Sequence, residues 1–158
     1  MELIVKHFSE LSAEELFEIY KLRISVFVVE QNCPYQEADD ADRAAYHVWL
    51  KDETGIKAYA RVLPPGVTFD SAAIGRVIAV KRRCGLGSKI VAAAVNIAKE
   101  KFGADSKIAV MFEKCISNTL QTTIKIKEND TVFVITGDIP ATVSYTHLRA
   151  HETRSNLV

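Results

Sequence analysis

Hydrophobic and polar residues alternate along Glu2–Phe8, and this period of two predicts a first β-strand. Ser12 is predicted to start a helix, because Glu15 follows three residues later and completes a capping box. Apolar residues then recur at the spacing of one helix face, at Leu16, Phe17, Ile19, Tyr20, Ile24 and Phe27. The run Asn32-Cys33-Pro34 is predicted to end this helix, because proline disfavours helical backbone in the residue before it.

A loop and a hairpin are predicted next. Residues 35–43 are rich in acidic side chains and lack an apolar period, which is typical of a loop. Tyr46–Leu50 and Ile56–Leu63 predict two antiparallel strands, because the turn sequence Asp52-Glu53-Thr54-Gly55 separates them. His47 and Trp49 alternate along the first of these strands, so they are predicted to share one face of the sheet.

The second half of the chain adds a strand, a helix and a further strand. Pro64-Pro65-Gly66 interrupts the hairpin, and the apolar run Ala72–Val80 predicts the fourth strand. Lys89–Phe102 has a helical period and is followed by glycine at Gly103, the residue type that commonly ends helices. Lys107–Phe112 then predicts a fifth strand. The order is therefore β, α, β, β, β, α, β, which predicts a mixed α/β protein.

The segment Arg82–Ser88 joins the fourth strand to the second helix and has the chemistry of a phosphate-binding loop. Gly85 and Gly87 let the backbone approach a ligand, and the helix start offers N–H groups that have no partner within the helix. Positive charge is added by Lys81, Arg82, Arg83 and Lys89. The sequence patterns of a P-loop and of a dinucleotide-binding turn are absent. The alternative is a basic turn that happens to start a helix.

Composition fits one cytoplasmic domain. The chain has 158 residues, 48% hydrophobic and 25% charged, and a net charge of zero, which argues against a nucleic-acid-binding surface. Three irregularly spaced cysteines, at Cys33, Cys84 and Cys115, predict free thiols in a reducing compartment and argue against a zinc site. We therefore expect no metal. We also expect no membrane partner, because no apolar run approaches membrane-spanning length.

Several motifs together resemble one family of enzymes. The element order, with Arg-x-x-Gly-x-Gly after the fourth strand, resembles the GNAT superfamily of acyl-CoA-dependent N-acyltransferases. The ElaA-type branch of that superfamily resembles this chain over roughly residues 3–108, on the motifs Lys21-Leu22-Arg23, VFVVEQNCPYQE (residues 26–37), Asp39, His47, Trp49, RVLPPG (residues 61–66) and IGRV (residues 74–77). This resemblance implies a mixed, mostly antiparallel sheet with helices on both faces, formed by residues 1–142.

The resemblance also assigns a ligand to the loop, namely acetyl-CoA as acyl donor. It implies that the loop holds the pyrophosphate and that the fourth strand pairs with the pantetheine arm, which gives the binding residues Val77, Ile78, Ala79, Val80, Arg82, Arg83, Cys84, Gly85, Leu86, Gly87 and Ser88. Only residues 78–81 separate Val77 from the loop motif, a shorter connection than the family usually has. The shorter connection is expected to shift the loop relative to the end of the strand.

Candidate catalytic residues are Glu30, at the end of the first helix, and His47. A base and a polarising N–H are sufficient for attack of an amine on a thioester. The alternatives are a solvated acid for Glu30 and a packed, hydrogen-bonded histidine for His47. Candidate substrate-binding residues are Arg23, Tyr35, Glu37 and Arg61. For the two arginines the alternative is ion pairing with the acidic residues 37–42, and for Tyr35 it is packing.

The last third departs from the family pattern. Residues 111–130 lack the tyrosine that often serves as the acid in this family, and Asn118 could instead act near coenzyme A or cap a helix. Thr131–Thr136 predicts a strand. We interpret the departure as loss of the family sequence through a reading-frame change. Residues 143–158 resemble the translation of a sequencing-library adapter, and we interpret them as an artefactual or disordered tail.

The predicted function is transfer of an acetyl group from acetyl-CoA to an amine of a small molecule or peptide. A non-catalytic or degenerate acyl-CoA-binding domain is the second hypothesis, and a small-molecule sensor without coenzyme A is the third. The resemblance also implies that a homodimer is a candidate assembly.

Overall fold

The structure is a computed structural model that describes residues 1–103, 108–114 and 132–138. Its helices and strands follow the predicted order, with these bounds: β1 (Glu2–His7), α1 (Ala13–Arg23), β2 (Tyr46–Asp52), β3 (Gly55–Leu63), β4 (Ala72–Ala79), α2 (Leu86–Phe102), β5 (Ile108–Lys114) and β6 (Val132–Asp138). The predicted elements are confirmed, except that the first helix is a regular α-helix only to Arg23. The main difference is at α2, which begins at Leu86, inside the loop motif, and not at Lys89.

The strands form one mixed sheet in which β1 to β6 lie side by side in chain order. The first four strands are joined by antiparallel pairings, and β5 and β6 are added in parallel. Pairing between β4 and β5 covers only Ala72–Ile74 against Ile108–Val110. The predicted fold class is therefore confirmed, and the two central strands separate beyond Ile74.

Each face of the sheet packs against one helix. Val48, Ala60 and Ile74 point to the face that α2 covers, where they form a core with Ile90 and Val91. On the opposite face, Trp49, Tyr59 and Ile78 pack with Ile19 and Phe27 from the first helical segment. Alternation along the strands places neighbouring residues on opposite faces, so both cores are built from the same strands. The predicted helices on both faces are confirmed.

The first helix begins as predicted but changes type before it ends. Ser12 Oγ accepts a hydrogen bond from the N–H of Glu15, so the predicted capping box is confirmed. From Ile24 to Glu30 the backbone forms a π-helical turn, in which N–H groups reach back five residues. Ser25 Oγ donates to the carbonyl of Lys21, a side-chain bond that competes with the helical ladder at this point. The prediction of one regular helix through Phe27 is therefore wrong.

Two further differences concern the acidic loop and the cysteines. The predicted loop 35–43 contains a short 3₁₀ turn at Asp40–Ala44. Cys84 is a free, exposed thiol, as predicted, but Cys33 is disulfide-bonded, so the prediction of free thiols is wrong for Cys33. Cys115 lies outside the described residues.

Within residues 1–103, 108–114 and 132–138, no helix is both long and apolar enough to cross a membrane. The predictions about Asn118, most of residues 111–130 and the tail 143–158 fall outside the described residues.

Candidate functional site

The connection between β4 and α2 has a backbone suited to holding an anion. Arg83 and Gly85 have φ angles of +58° and +78°, and Cys84 between them has a negative φ. Alternating handedness of this kind turns successive N–H groups toward one concave side. The bond from Lys89 N–H to the carbonyl of Gly85 (3.1 Å) is the first of the helix, so the three N–H groups of residues 86–88 precede the helical ladder. The predicted phosphate loop therefore has donors that converge.

The two glycines leave room in front of these donors. A Cβ atom added to Gly85 would meet no atom within 4 Å, and one added to Gly87 would meet only Ala79 Cβ, at 4.0 Å. Arg82 and Arg83 are exposed beside the loop. Cys84 points elsewhere, because its Sγ donates to the carbonyl of Lys81 at 2.9 Å. Open space, oriented N–H groups and nearby positive charge fit a phosphate group.

An open strand edge leads directly into this loop. Beyond Ile74, the described residues give β4 a partner strand on the β3 side only, while β5 continues in register with β6. The residues along this edge are Gly75–Ala79, followed by Val80 and the loop. An edge of this kind has backbone N–H and carbonyl groups available for an extended ligand that carries amides.

A bulge lies where β4 separates from β5. Tyr59 pairs with Ile78 and Arg61 pairs with Gly75, so Arg76 and Val77 together oppose the single residue between Tyr59 and Arg61. Arg76 has a φ of +54°, the left-handed region that non-glycine residues rarely occupy. The described chain therefore combines a bulge, a strand separation and the loop predicted to bind phosphate within about a dozen residues of sequence.

Three arginines and three carboxylates form a buried ion-pair network on the α1 face of the sheet, which we call the arginine network: Arg23, Arg61, Arg76, Glu37, Asp39 and Asp42. Arg23 Nε and Nη2 donate to the two carboxylate oxygens of Glu37 at 2.7 and 2.9 Å. Arg23 Nη1 also donates to Asp42 Oδ1 at 2.7 Å. The network thus fastens the acidic loop to α1.

The other two arginines fasten the same loop to the strands. Arg61 Nη1 donates to Asp39 Oδ1 at 2.7 Å and to Asp42 Oδ1 at 3.0 Å. Arg76 Nε donates to Glu37 Oε2 at 2.8 Å. Burial raises the pKa of Asp42, but the hydrogen bonds and charges of Arg23 and Arg61 lower it further, to about 2. All three carboxylates are therefore held in place by positive charge.

This geometry corrects the substrate-binding prediction for Arg23, Glu37 and Arg61. These residues are 0%, 3% and 2% exposed, and they pair with one another and with the aspartates, although Arg61 Nε has no hydrogen-bond partner among the described residues. A substrate has no access to them in this arrangement. The alternative, ion pairing with the acidic loop, is what the structure shows. Tyr35 is half-buried, and the guanidinium of Arg76 lies 5.6 Å from its ring centroid, so it packs beside the network.

His47 lies in the interior and not in an open cleft. It is 0% exposed, its Nδ1 is 2.8 Å from the hydroxyl of Tyr59, and its Nε2 is 3.3 Å from the carbonyl of Asp42. A carbonyl only accepts, so Nε2 carries the hydrogen and Nδ1 accepts from Tyr59. Burial lowers the pKa of His47 to about 4. The general-base assignment is therefore corrected to the alternative of a packed, hydrogen-bonded histidine.

Glu30 lies at the surface, next to the loop. Its carboxylate accepts a hydrogen bond from Arg82, and both side chains are largely exposed. The end of the π-helical turn and the loop that follows β4 thus contact each other. The structure brings Glu30 close to Arg82 of the loop, whereas His47 and most of the arginine network are buried in the interior.

Sequence reasoning missed Arg76 and Tyr59. Arg76 lies within an apolar strand, and a charged residue within such a run signals a buried ion pair. Asp42 falls within the acidic residues 37–42 that were named as alternative partners of Arg23 and Arg61, and it pairs with both. Among the residues described, no group of three histidine, cysteine or acidic residues is arranged to hold a metal ion.

Known proteins resemble the chain in sequence and in structure. A UPF0039 protein of Schizosaccharomyces pombe is 34% identical over 131 residues, which is 81% of this chain and 85% of that protein. The crystal structure of an acyl-CoA N-acyltransferase from Pseudomonas aeruginosa matches with a TM-score of 0.62 and 34% identity, over 66% of this chain and 74% of that one. The crystal structure of Escherichia coli ElaA gives a TM-score of 0.62 and 33% identity, over 66% and 73%.

In sequence, Escherichia coli ElaA is 46% identical over 76 residues, about half of either protein. The chain belongs to the ElaA-type branch of the GNAT superfamily of acyl-CoA N-acyltransferases, as predicted.

One further match is of another class. A family model described as a metal-independent alpha-mannosidase (GH125) matches residues 105–144. Most of this range lies outside the described residues, and the match covers a minor part of the chain. It coincides with the segment in which the sequence departs from the acyltransferase pattern.

Proposed function

We propose that the chain binds acetyl-CoA along β4 and the following loop and transfers the acetyl group to an amine of a small molecule or peptide. The observation that carries the proposal is the continuity of two features. The open edge at Gly75–Ala79 leads without interruption into the loop Arg82–Ser88. One suits an extended ligand with amide groups and the other suits a pyrophosphate, and an acyl-CoA has both.

In this proposal the loop holds the pyrophosphate. The N–H groups of Leu86, Gly87 and Ser88 donate to its oxygens, and Arg83 supplies positive charge. The pantetheine amides then pair with the free edge of β4, as an added strand would. This placement carries the thioester to the bulge at Arg76 and Val77, where β4 and β5 separate.

The chemical step needs few groups. The amine nitrogen attacks the thioester carbonyl carbon, a C–N bond forms, the C–S bond breaks, and coenzyme A leaves as a thiolate that takes up a proton. A backbone N–H at the bulge polarises the carbonyl oxygen. Glu30, exposed beside the loop, is our candidate to accept the proton from the amine, directly or through water.

Calorimetric titration with acetyl-CoA tests the binding half of the proposal. Gly87→Glu places a side chain and a negative charge at the helix start, and it is expected to weaken binding by about tenfold or more. Asn96→Glu is the matched control, because it adds the same charge to an exposed position further along α2. Equal affinity of wild type and Gly87→Glu would contradict the placement of the ligand.

Thiol release with a panel of amines tests the catalytic half. Turnover with any amine supports transfer, and binding without turnover on every amine supports the second hypothesis, a degenerate acyl-CoA-binding domain. Glu30→Gln is expected to lower kcat without weakening acetyl-CoA binding, because it leaves Arg82 available to the phosphates. An unchanged kcat in Glu30→Gln would show that Glu30 is not the proton acceptor.

A further inference from the structure

We propose that Arg76 is a positioning residue, and that its ion pair with Glu37 holds the β4 bulge in the conformation that orients the acyl donor. The inference rests on the proposed function. It assigns a role to the arginine network, which buries five charged residues beside the candidate site without offering them to a substrate.

The backbone of Arg76 is strained. A φ of +54° at a non-glycine residue is unfavourable, because Cβ approaches the following carbonyl oxygen. Gly75 precedes it in sequence, yet its φ is not in the left-handed region. The chain therefore places the left-handed conformation on arginine although glycine is one residue away. Strain of this kind persists only where the surroundings impose it.

The surroundings that impose it are contacts to the Arg76 side chain. The residue is 0% exposed, and its Nε donates to Glu37 Oε2 at 2.8 Å. Its Nη2 lies 3.6 Å from Asp39 Oδ2. The guanidinium also lies over the rings of Phe27 and Tyr35, at 5.8 and 5.6 Å from their centroids. The side chain is thus held by the loop and by the π-helical turn.

Glu37 is itself held. Arg23 donates hydrogen bonds to both of its carboxylate oxygens, so the acceptor that Arg76 uses is fixed to α1. The acidic loop therefore links α1 to the bulge through Glu37. Because a left-handed residue rotates the peptide plane that follows it, the conformation of Arg76 sets the direction of the Val77 N–H. That N–H lies at the point where β4 leaves β5.

The measurement uses acetyl-CoA labelled with ¹³C at the thioester carbonyl and needs no acceptor amine. In the wild type, a hydrogen bond from the bulge moves the bound carbonyl resonance downfield. Arg76→Ala removes the guanidinium but retains a Cβ atom, so the backbone is expected to leave the left-handed region. This variant is expected to lose most of the shift. Arg76→Gly also removes the side chain, but glycine tolerates positive φ, so it is expected to retain the shift.

A double-variant cycle separates positioning from stability. Glu37→Gln is expected to reduce the carbonyl shift in the wild-type background and to have no further effect in the Arg76→Gly background. Melting temperatures of all variants report the cost to folding. If Arg76→Ala does not fold, the comparison of Glu37→Gln, Arg76→Gly and the double variant still decides the matter.

Each outcome decides for or against the proposal. An unchanged carbonyl shift in Arg76→Ala, or a wild type that binds acetyl-CoA without any carbonyl shift, would overturn it. A wild type that does not bind acetyl-CoA in the calorimeter would instead refute the proposed function, and the inference with it. Where turnover is found, Arg76→Ala should lower kcat by about 10²-fold and leave the affinity for acetyl-CoA within about twofold.

Discussion

Replacing Glu37 with alanine is expected to be among the most destabilising single changes in the described part of the chain. Its carboxylate is 3% exposed and receives hydrogen bonds from Arg23 Nε, Arg23 Nη2 and Arg76 Nε at 2.7, 2.9 and 2.8 Å. Both guanidinium groups are fully buried, so water cannot replace the lost acceptor. The network then holds three positive charges and two negative ones.

The magnitude follows from the cost of an uncompensated buried charge. Breaking a buried pair by removing one partner costs about 3–5 kcal/mol. Arg23 keeps its bonds to Asp42, which reduces the loss, and the second unpaired guanidinium increases it. We therefore expect a loss of about 4 kcal/mol in the free energy of unfolding, which lowers Tm by roughly 8–16 °C for a chain of this size.

Urea unfolding followed by circular dichroism measures this loss. Asp40→Ala is the matched control, because Asp40 lies in the same acidic segment but is exposed and pairs with exposed Arg43, at 3.7 Å. Its effect is expected to stay within about 0.5 kcal/mol. A loss below about 1 kcal/mol for Glu37→Ala would refute the reasoning, since an interior carboxylate that bridges two buried arginines cannot be that dispensable.

Three further outcomes are expected. The pKa of His47 is lowered to about 4 in the folded protein, so the contribution of neutral His47 to stability is present above pH 6.5 and is lost as pH falls toward 4. The free energy of unfolding should decline by about 3 kcal/mol across this range, and His47→Gln should reduce the decline. Ser12→Ala removes the cap of α1 and should cost about 1 kcal/mol in urea unfolding, whereas an unchanged midpoint would mean that the cap is not formed in solution. Gly85→Ala should cost about 1 kcal/mol from its φ of +78°, although space for the methyl group is open, and a stabilised variant would contradict the left-handed conformation.

Features that depend on nearby residues were predictable from the sequence. The Ser12 capping box, the hairpin turn before Gly55 and the end of α2 at Gly103 each follow from a few adjacent residues, and each is present. The shared face of His47 and Trp49 followed from strand alternation and is also present, since both lie on the face that α1 covers. Local chemistry and the period of two were sufficient for these elements.

Ion pairing of Arg23 and Arg61 with the acidic residues 37–42 was named as an alternative and is present, but other contacts between distant residues were not predicted. Glu37 meets Arg76 across 39 positions of sequence, and nothing in either neighbourhood signals the other. The predicted role of His47 failed for the same reason, because Tyr59 on the next strand occupies Nδ1. The π-helical turn arises within a segment whose apolar period is that of an ordinary helix, so its onset at Ile24 left no sign in that period.

Amide hydrogen exchange with and without acetyl-CoA tests the central claim most directly, because it reports which backbone N–H groups the ligand covers. The account predicts added protection in two places: along the open edge of β4 at Gly75–Ala79, and at the start of α2, at Leu86–Ser88. Protection should be much weaker in Gly87→Glu. Binding that leaves both segments unprotected, or that protects only residues elsewhere in the chain, would contradict the assignment of this strand and loop as the acyl-CoA site.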